Sequence, residues 1–287
     1  MPIVVNIGGK ILAAADAKIS VFDRGFLYGD SVFEVMRTYA GKGCREEEHL
    51  IRLEESARRV LIDIPFTREQ VRREVRRTIS ASGEDPCYVR IILTRGSGPL
   101  NYDPTSAHDP QLVVMVTPLK SQPPEHYREG VEVCLIRATR PTDNSQATGA
   151  KASNYLVNLL ATHEVRQRGG YEAILIGGDG QLLEGASSNL FLVRGRQLLT
   201  PRAEAGILVG ITRQTVLEVA PSVGLNPLET ALFPQDLYEA DEAFITSSLR
   251  EVMPISRVDG QPIGSGEPGP WAALMREAYL RSVRGES

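Results

Sequence analysis

Cysteine is scarce in this chain. Cys44, Cys87 and Cys134 are an odd number in 287 residues and show no CxxC spacing, which argues against a disulfide framework or a structural zinc site. Such usage fits a reducing compartment, so a cytoplasmic protein without a bound metal is expected. Long apolar runs are lacking as well. No stretch approaches 18 apolar residues, and the opening MPIVVNIGGKILAAADAKIS is broken by Gly8, Gly9, Lys10, Asp16 and Lys18, so neither a signal peptide nor a membrane span is expected. There is no excess of positive charge. The formal charge is −4, Arg is interspersed with Glu as in RREVRRTISASGED, and no basic domain for nucleic acid stands out. GxGxxG and GxxxxGK[ST] phosphate loops are also missing. Small molecules are the expected partners.

Lysine is the second scarcity. Only five occur, at 10, 18, 42, 120 and 151, against 27 Arg. Lys151 is the sole lysine after residue 120 and lies in QATGAKASNYLVN, among alanines, glycine and small polar residues. It reads either as a surface charge surviving a drift toward arginine or as a chemical necessity. Arg stays protonated, whereas a lysine in a poorly solvated pocket can lose its proton, attack a carbonyl carbon and form a Schiff base.

What the chain does contain is a mixture of hairpins and helices. IVVNIGGKIL reads as strand, two-glycine turn and strand, and FDRGFLYGDSVFEVMRTYAGK as a further hairpin. Helical periodicity follows in REEEHLIRLEESARRVLI, with Leu50, Leu53, Ala57, Val60 and Leu61 on one face, and in TREQVRREVRRTISAS after a Thr cap. Strands return in CYVRIILTRG and QLVVMVTPL. KSQPPEHYREG interrupts regular structure and is expected to be a linker, giving a small domain at 1–118, a linker at 119–127 and a larger domain at 128–287. Residues 141–150 read as a loop before a helix marked by Leu156, Leu159, Leu160 and Val165, with Lys151 at its entrance. Beyond it, YEAILIGGDGQLLEG and NLFLVRGRQLLTP read as hairpins, GITRQTVLEVA as a helix, and DEAFITSSLREVMPISRVDGQPI as strand, loop and hairpin. The class is α+β rather than an alternating βαβ chain.

Six segments in order resemble the fold type IV pyridoxal-phosphate enzymes, the class IV aminotransferases that include branched-chain and D-amino acid aminotransferases and aminodeoxychorismate lyase. They are FDRGFLYGDSVFEVMR, HLIRLEESA, the lysine at 151, LLEGASSNLFLV, GILVGITRQTV and DEAFITSSLREVMPI. The resemblance covers nearly the whole chain. It implies two domains, a small α/β one and a larger one with a β-barrel-like core, together with pyridoxal 5′-phosphate as cofactor and a homodimer. It makes Lys151 the catalytic residue, joined to the cofactor aldehyde and then carrying the proton. Glu184 matches the carboxylate beside the pyridine nitrogen, where an anion keeps the ring a good electron sink. Asn189 is read as a support of that turn.

Leu208, Ile211 and Thr212 in LVGIT match the first phosphate loop, at a helix start where N–H groups favour anions. Ser247 and Ser248 match the second, and Arg52 the phosphate-binding arginine. Tyr155 resembles the tyrosine that meets the cofactor's phenolic oxygen, although its spacing from the lysine is one residue shorter than in branched-chain members. Tyr28, Phe33, Arg37, Tyr88 and Arg90 are the expected substrate residues, with the Tyr-x-Arg pattern of CYVRIIL able to meet an alkyl chain or a second carboxylate. LTRGSGPLNYDP instead resembles the loop of D-specific enzymes and lyases, but Leu100, Asn101 and Tyr102 replace the Arg-x-His expected of the former. The expected reaction is exchange of an amino group between an apolar, L-branched-chain amino acid and 2-oxoglutarate. The alternatives are D-amino acid or (R)-amine transamination, an aminodeoxychorismate lyase, or a non-catalytic binding protein that keeps the fold.

Overall fold

The computed structural model describes residues 3–138 and 145–285. The chain divides into two compact units, the first formed by Met1–Lys120 with Ser145–Asn154 and the second by Ser121–Asn144 with Tyr155–Ser287.

The first unit contains β1 (Val4–Ile7), β2 (Lys10–Ala13), α1 (Arg24–Tyr28), β3 (Ser31–Tyr39), β4 (Lys42–Gly43), α2 (Glu46–Arg59), α3 (Arg68–Ser82), β5 (Cys87–Thr94) and β6 (Leu112–Pro118). Its sheet has the order β2-β1-β6-β5-β3-β4 and antiparallel pairing throughout. Alternation along β3 and β5 sends Val32, Met36, Val89, Ile91 and Leu93 into a core with Leu50, Leu53 and Ala57 of α2 and Val71 and Val75 of α3. The other face carries Phe33, Arg37, Tyr88 and Arg90, and the register sets Arg37 opposite Tyr88. Thr67 caps α3 in a reciprocal capping box with Gln70.

Two local expectations change here. The stretch at 24–28 is a short helix, not a hairpin arm, because the Asp23 carboxylate accepts the Gly25 N–H at 2.7 Å and Gly29 closes the turn at φ 67°. Leu61 leaves the helical face: α2 stops at Arg59, Leu61 turns outward at φ 57°, and Ile62 takes the buried position.

The second unit contains α4 (Pro124–Glu129), β7 (Val131–Arg137), α5 (Leu156–Gln167), β8 (Glu172–Ile176), β9 (Leu182–Gly185), β10 (Asn189–Arg194), β11 (Gln197–Pro201), α6 (Ile211–Val219), β12 (Asn226–Thr230), α7 (Pro234–Tyr238), β13 (Glu242–Ser247), β14 (Glu251–Val258), β15 (Gln261–Pro262) and α8 (Pro270–Arg284). Its nine-stranded sheet runs β12-β11-β10-β13-β14-β7-β8-β9, with β15 paired to β14. The hairpins expected at 171–185 and 189–201 are present. Parallel pairing is confined to a few places: β7 and β8 pair across α5, β11 and β12 across α6, and β14 lies parallel to β7. One core packs Phe191, Val193 and Phe244 against Val216 of α6 and Met275 and Tyr279 of α8.

The boundaries expected from sequence need two corrections. Residues 124–127 of the presumed linker belong to a helix that runs on to Glu129, since Pro124 stands at a first helical position, where its missing N–H costs nothing, and Tyr127 donates its hydroxyl to the Arg250 carbonyl at 3.1 Å. Residues 145–154 pack with the first unit, so Lys151 does not belong to the larger one. Of the loop expected at 141–150, residues 141–144 lie outside the described residues.

Helix α5 buries Ala161 and Val165 and leaves Leu156, Leu159 and Leu160 exposed at 67%, 65% and 61%. Their i, i+3, i+4 spacing places all three on one face.

Candidate active site

In the first unit Lys151 is held by its backbone. Its N–H donates to Ser56 Oγ at 3.1 Å, its carbonyl accepts the Phe33 N–H at 2.9 Å, and Ser153 N–H donates to the Ser31 carbonyl at 2.9 Å. The Ser31 hydroxyl bonds that of Ser153 at 2.6 Å, and Val32 bridges Ala152 in antiparallel fashion. The lysine segment thus extends the β3 edge of the sheet. Its Nζ lies 4.7 Å from the Phe33 ring centroid, and the Arg90 guanidinium lies 4.0 Å from the same centroid. An aromatic surface with a guanidinium against it can seat an alkyl chain and still reach an anion.

Arg52 projects from α2 and is fixed by Glu34 of β3, donating from Nε and Nη2 to the two carboxylate oxygens, each at 2.7 Å. His49 Nδ1 meets the same carboxylate at 2.7 Å. Glu34 and His49 are buried. Burial alone would raise Glu34, but the Arg52 charge and hydrogen bonds, joined by His49, hold its carboxyl well below the usual range. For His49 burial pushes the pKa down against the pull of Glu34, with the Arg52 and Lys151 charges adding to burial. A neutral imidazole whose Nδ1–H donates to Glu34 follows.

The remaining expected substrate residues lie nearby in the same unit. Arg37 covers the Tyr39 ring at 4.4 Å, and Tyr88 and Arg90 share a strand face as period two requires. Tyr28 ends α1, with its ring 5.6 Å from that of Tyr102 and the Arg24 guanidinium 5.0 Å away. Arg24 also donates to the Asn101 carbonyl at 3.0 Å, anchoring the loop that follows β5.

The second unit holds the other expected cofactor residues. Glu184 lies near the end of β9, and its Oε2 accepts the Leu208 N–H at 3.1 Å. Leu208 leads into the start of α6, where Gly210 is the cap residue and Ile211 and Thr212 are buried in the first turn. Ser247 and Ser248 form the turn between β13 and β14, closed by the Arg250 N–H on the Ser247 carbonyl at 3.2 Å. Arg250 in turn pairs with buried Glu172. Tyr155 is the half-buried residue preceding α5. A carboxylate able to face a ring nitrogen, and a helix start and a hydroxyl turn able to face a phosphate, form a set that fits pyridoxal phosphate.

The family model for amino-transferase class IV matches residues 31–258. The chain belongs to this family. A Methanocaldococcus jannaschii protein provisionally named a branched-chain-amino-acid aminotransferase is 34% identical over 275 residues, 96% of this chain and 94% of that one. A D-alanine aminotransferase of Bacillus licheniformis is 31% identical over 283 residues, 99% of this chain and 98% of its own. Among solved structures, a T.th. branched-chain amino acid aminotransferase with pyridoxamine 5′-phosphate superposes with a TM-score of 0.93 at 30% identity, covering 99% of this chain and 95% of that one. A branched-chain aminotransferase of the archaeon Thermoproteus uzoniensis with norvaline superposes at 0.90 and 31% identity, covering 100% of this chain and 96% of that one. The class IV fold is therefore established for this chain.

Sequence reasoning missed Glu34, His49 and Ser56. A signal existed for the first two: strand alternation places Glu34 with Val32 and Met36 on the core side, and a buried carboxylate demands a partner. Arg52 and His49, three apart on α2, could have been offered as that partner. Ser56 had no such signal, because its partner is the distant backbone of Lys151.

Proposed function

We propose that this class IV aminotransferase binds pyridoxal 5′-phosphate and exchanges an amino group between L-branched-chain amino acids and 2-oxoglutarate. The observation that carries the substrate reading is the Phe33 ring with Lys151 and Arg90 both against it. One donor is apolar and the other is a dicarboxylate, and a single pocket has to accept each in turn.

The cofactor supplies, when bound, a carbonyl carbon and an electron-withdrawing pyridine ring. Lys151 Nζ in its neutral form is the nucleophile toward that carbon, and once released it moves the proton at the substrate Cα. Its clamped backbone limits where Nζ can reach. Glu184 holds a proton at the ring nitrogen. The start of α6 from Leu208 to Thr212, the Ser247–Ser248 turn and Arg52 bind the phosphate, and Tyr155 meets the phenolic oxygen. Tyr28, Phe33, Arg37 and Tyr88 wall the substrate side chain, with Arg90 taking the distal carboxylate of glutamate. We also infer a homodimer, supported by the exposed leucine face of α5 and by exposed Phe22 and Phe26. Among the described residues no helix is long and apolar enough to cross a membrane.

A half-reaction assay tests the substrate reading. The loaded enzyme is mixed separately with L-leucine, L-glutamate, D-alanine and an (R)-arylalkylamine, and conversion of the cofactor to its amine form is followed by absorbance. L-leucine and L-glutamate are expected to convert fastest, and Arg90→Leu should slow glutamate about 10-fold or more while sparing leucine, the size of a lost charged hydrogen bond. D-alanine converting faster than L-leucine would transfer the assignment to the D-specific branch, which the kinship with the Bacillus licheniformis enzyme keeps open.

A further inference from the structure

Gly210 has no conformational reason to be glycine. Its φ of −69° and ψ of 139° suit any residue at a helix cap. The reason is space. A Cβ at position 210 would lie 2.0 Å from Oδ1 and 3.2 Å from Cγ of Asn189. Asn189, buried at the start of β10, therefore lays its amide against the entrance of α6.

From there its Nδ2 donates to the Leu208 carbonyl at 2.8 Å and approaches Glu184 Oε2 at 3.5 Å. That oxygen is the one accepting the Leu208 N–H. One side-chain amide thus touches the carboxylate, the turn that follows it in space and the cap of the helix. Leu208 is tied at both ends of its backbone, to Glu184 through N–H and to Asn189 through C=O. A displacement of the turn is thereby transmitted to the carboxylate.

We propose that Asn189 is a positioning residue that couples Glu184 to the 208–212 turn, and that position 210 is glycine in order to admit it. The proposal rests on the reading of Glu184 and that turn as cofactor contacts. It goes beyond that reading in making ring recognition and phosphate recognition interdependent.

Binding to the full-length protein, stripped of cofactor, separates the possibilities. Pyridoxal 5′-phosphate and pyridoxal, which has the ring but no phosphate, are titrated and followed by absorbance. Gly210→Ala places its methyl group in the phosphate turn and against Asn189, so it should raise the dissociation constant for pyridoxal as well as for the phosphate ester by about 3- to 10-fold, the range of one lost hydrogen bond. Asn189→Asp keeps the shape, removes the N–H donor and sets a second carboxylate beside Glu184, so it should weaken both ligands at least as much. In an Asn189→Ala background the added effect of Gly210→Ala should shrink below about 2-fold, because the atom it collides with is gone.

Gly210→Ala weakening only the phosphate ester, or additive effects in the double variant, would overturn the coupling. Should Gly210→Ala fail to fold, unchanged pyridoxal binding in Asn189→Asp overturns it instead. Glu184→Gln is the reference. If it leaves pyridoxal binding unchanged, the assignment of Glu184 falls and takes the coupling with it. If it weakens pyridoxal while Gly210→Ala does not, the coupling alone falls.

Discussion

The chemistry proposed for Lys151 has no second lysine beside it in the sequence, the others being at 10, 18, 42 and 120. Lys151→Ala is expected to keep its far-ultraviolet circular dichroism and to lose at least about 1000-fold in turnover, as removal of a covalent nucleophile does. Borohydride reduction of the loaded wild type followed by peptide mapping should mark residue 151 alone. The buried pair beneath Arg52 makes a second prediction, about pH. The folded pKa of His49 lies below its ordinary value of 6.5, chiefly through burial, so the stability it contributes is present above that value and is lost as pH falls through the folded pKa. Glu34 acts in the same sense lower down: with Arg52 outweighing burial, its contribution is intact above the ordinary carboxylate value of 4.5 and drains away below it. Melting temperature should therefore fall on acidification from pH 7, and His49→Gln should flatten the part nearest 6.5. A slope unchanged in that variant would assign the titration elsewhere.

Among the elements, those with a local cause were legible and those with a tertiary cause were not. The helix α3 could be read from Thr67 onward because the capping box is written in four consecutive residues. Thr67→Ala should cost about 1 kcal/mol and lower the melting temperature by roughly 2–4 °C, measurable by calorimetry. The hairpins at 171–185 and 189–201 were legible for the same reason, with turn glycines between alternating strands. By contrast, α4 was masked by its prolines, which signal a break when read as a pair but a first helical turn when Pro124 is taken alone. The side of the fold to which 145–154 belongs could not be read, because it is fixed by hydrogen bonds to Ser31, Phe33 and Ser56, each about 100 residues away or more. Within the candidate site, order along the chain pointed to the residues proposed to carry the chemistry; of those that hold them, Glu34 and His49 left the signal of a core-side carboxylate on β3, whereas Ser56 and the reason for Gly210 show only once strands and helices are packed.

For the whole molecule, the exposed leucines of α5 carry the assembly prediction. Leu159→Asp should shift the protein from dimer to monomer in multi-angle light scattering and reduce activity at low protein concentration. A variant that remains dimeric would place the interface on another face. The path of the chain has a separate consequence. It leaves the first unit at Lys120, returns for Ser145–Asn154 and leaves again. The first unit is therefore not a detachable module: a fragment cut at residue 120 would lack the segment that covers the N-terminal edge of β3. The Phe33 N–H and the Ser31 carbonyl would then face water on an open, largely apolar strand, the kind of edge that recruits a foreign chain. Such a fragment should self-associate, and a synthetic peptide spanning 145–154, added in trans, should compete with that association.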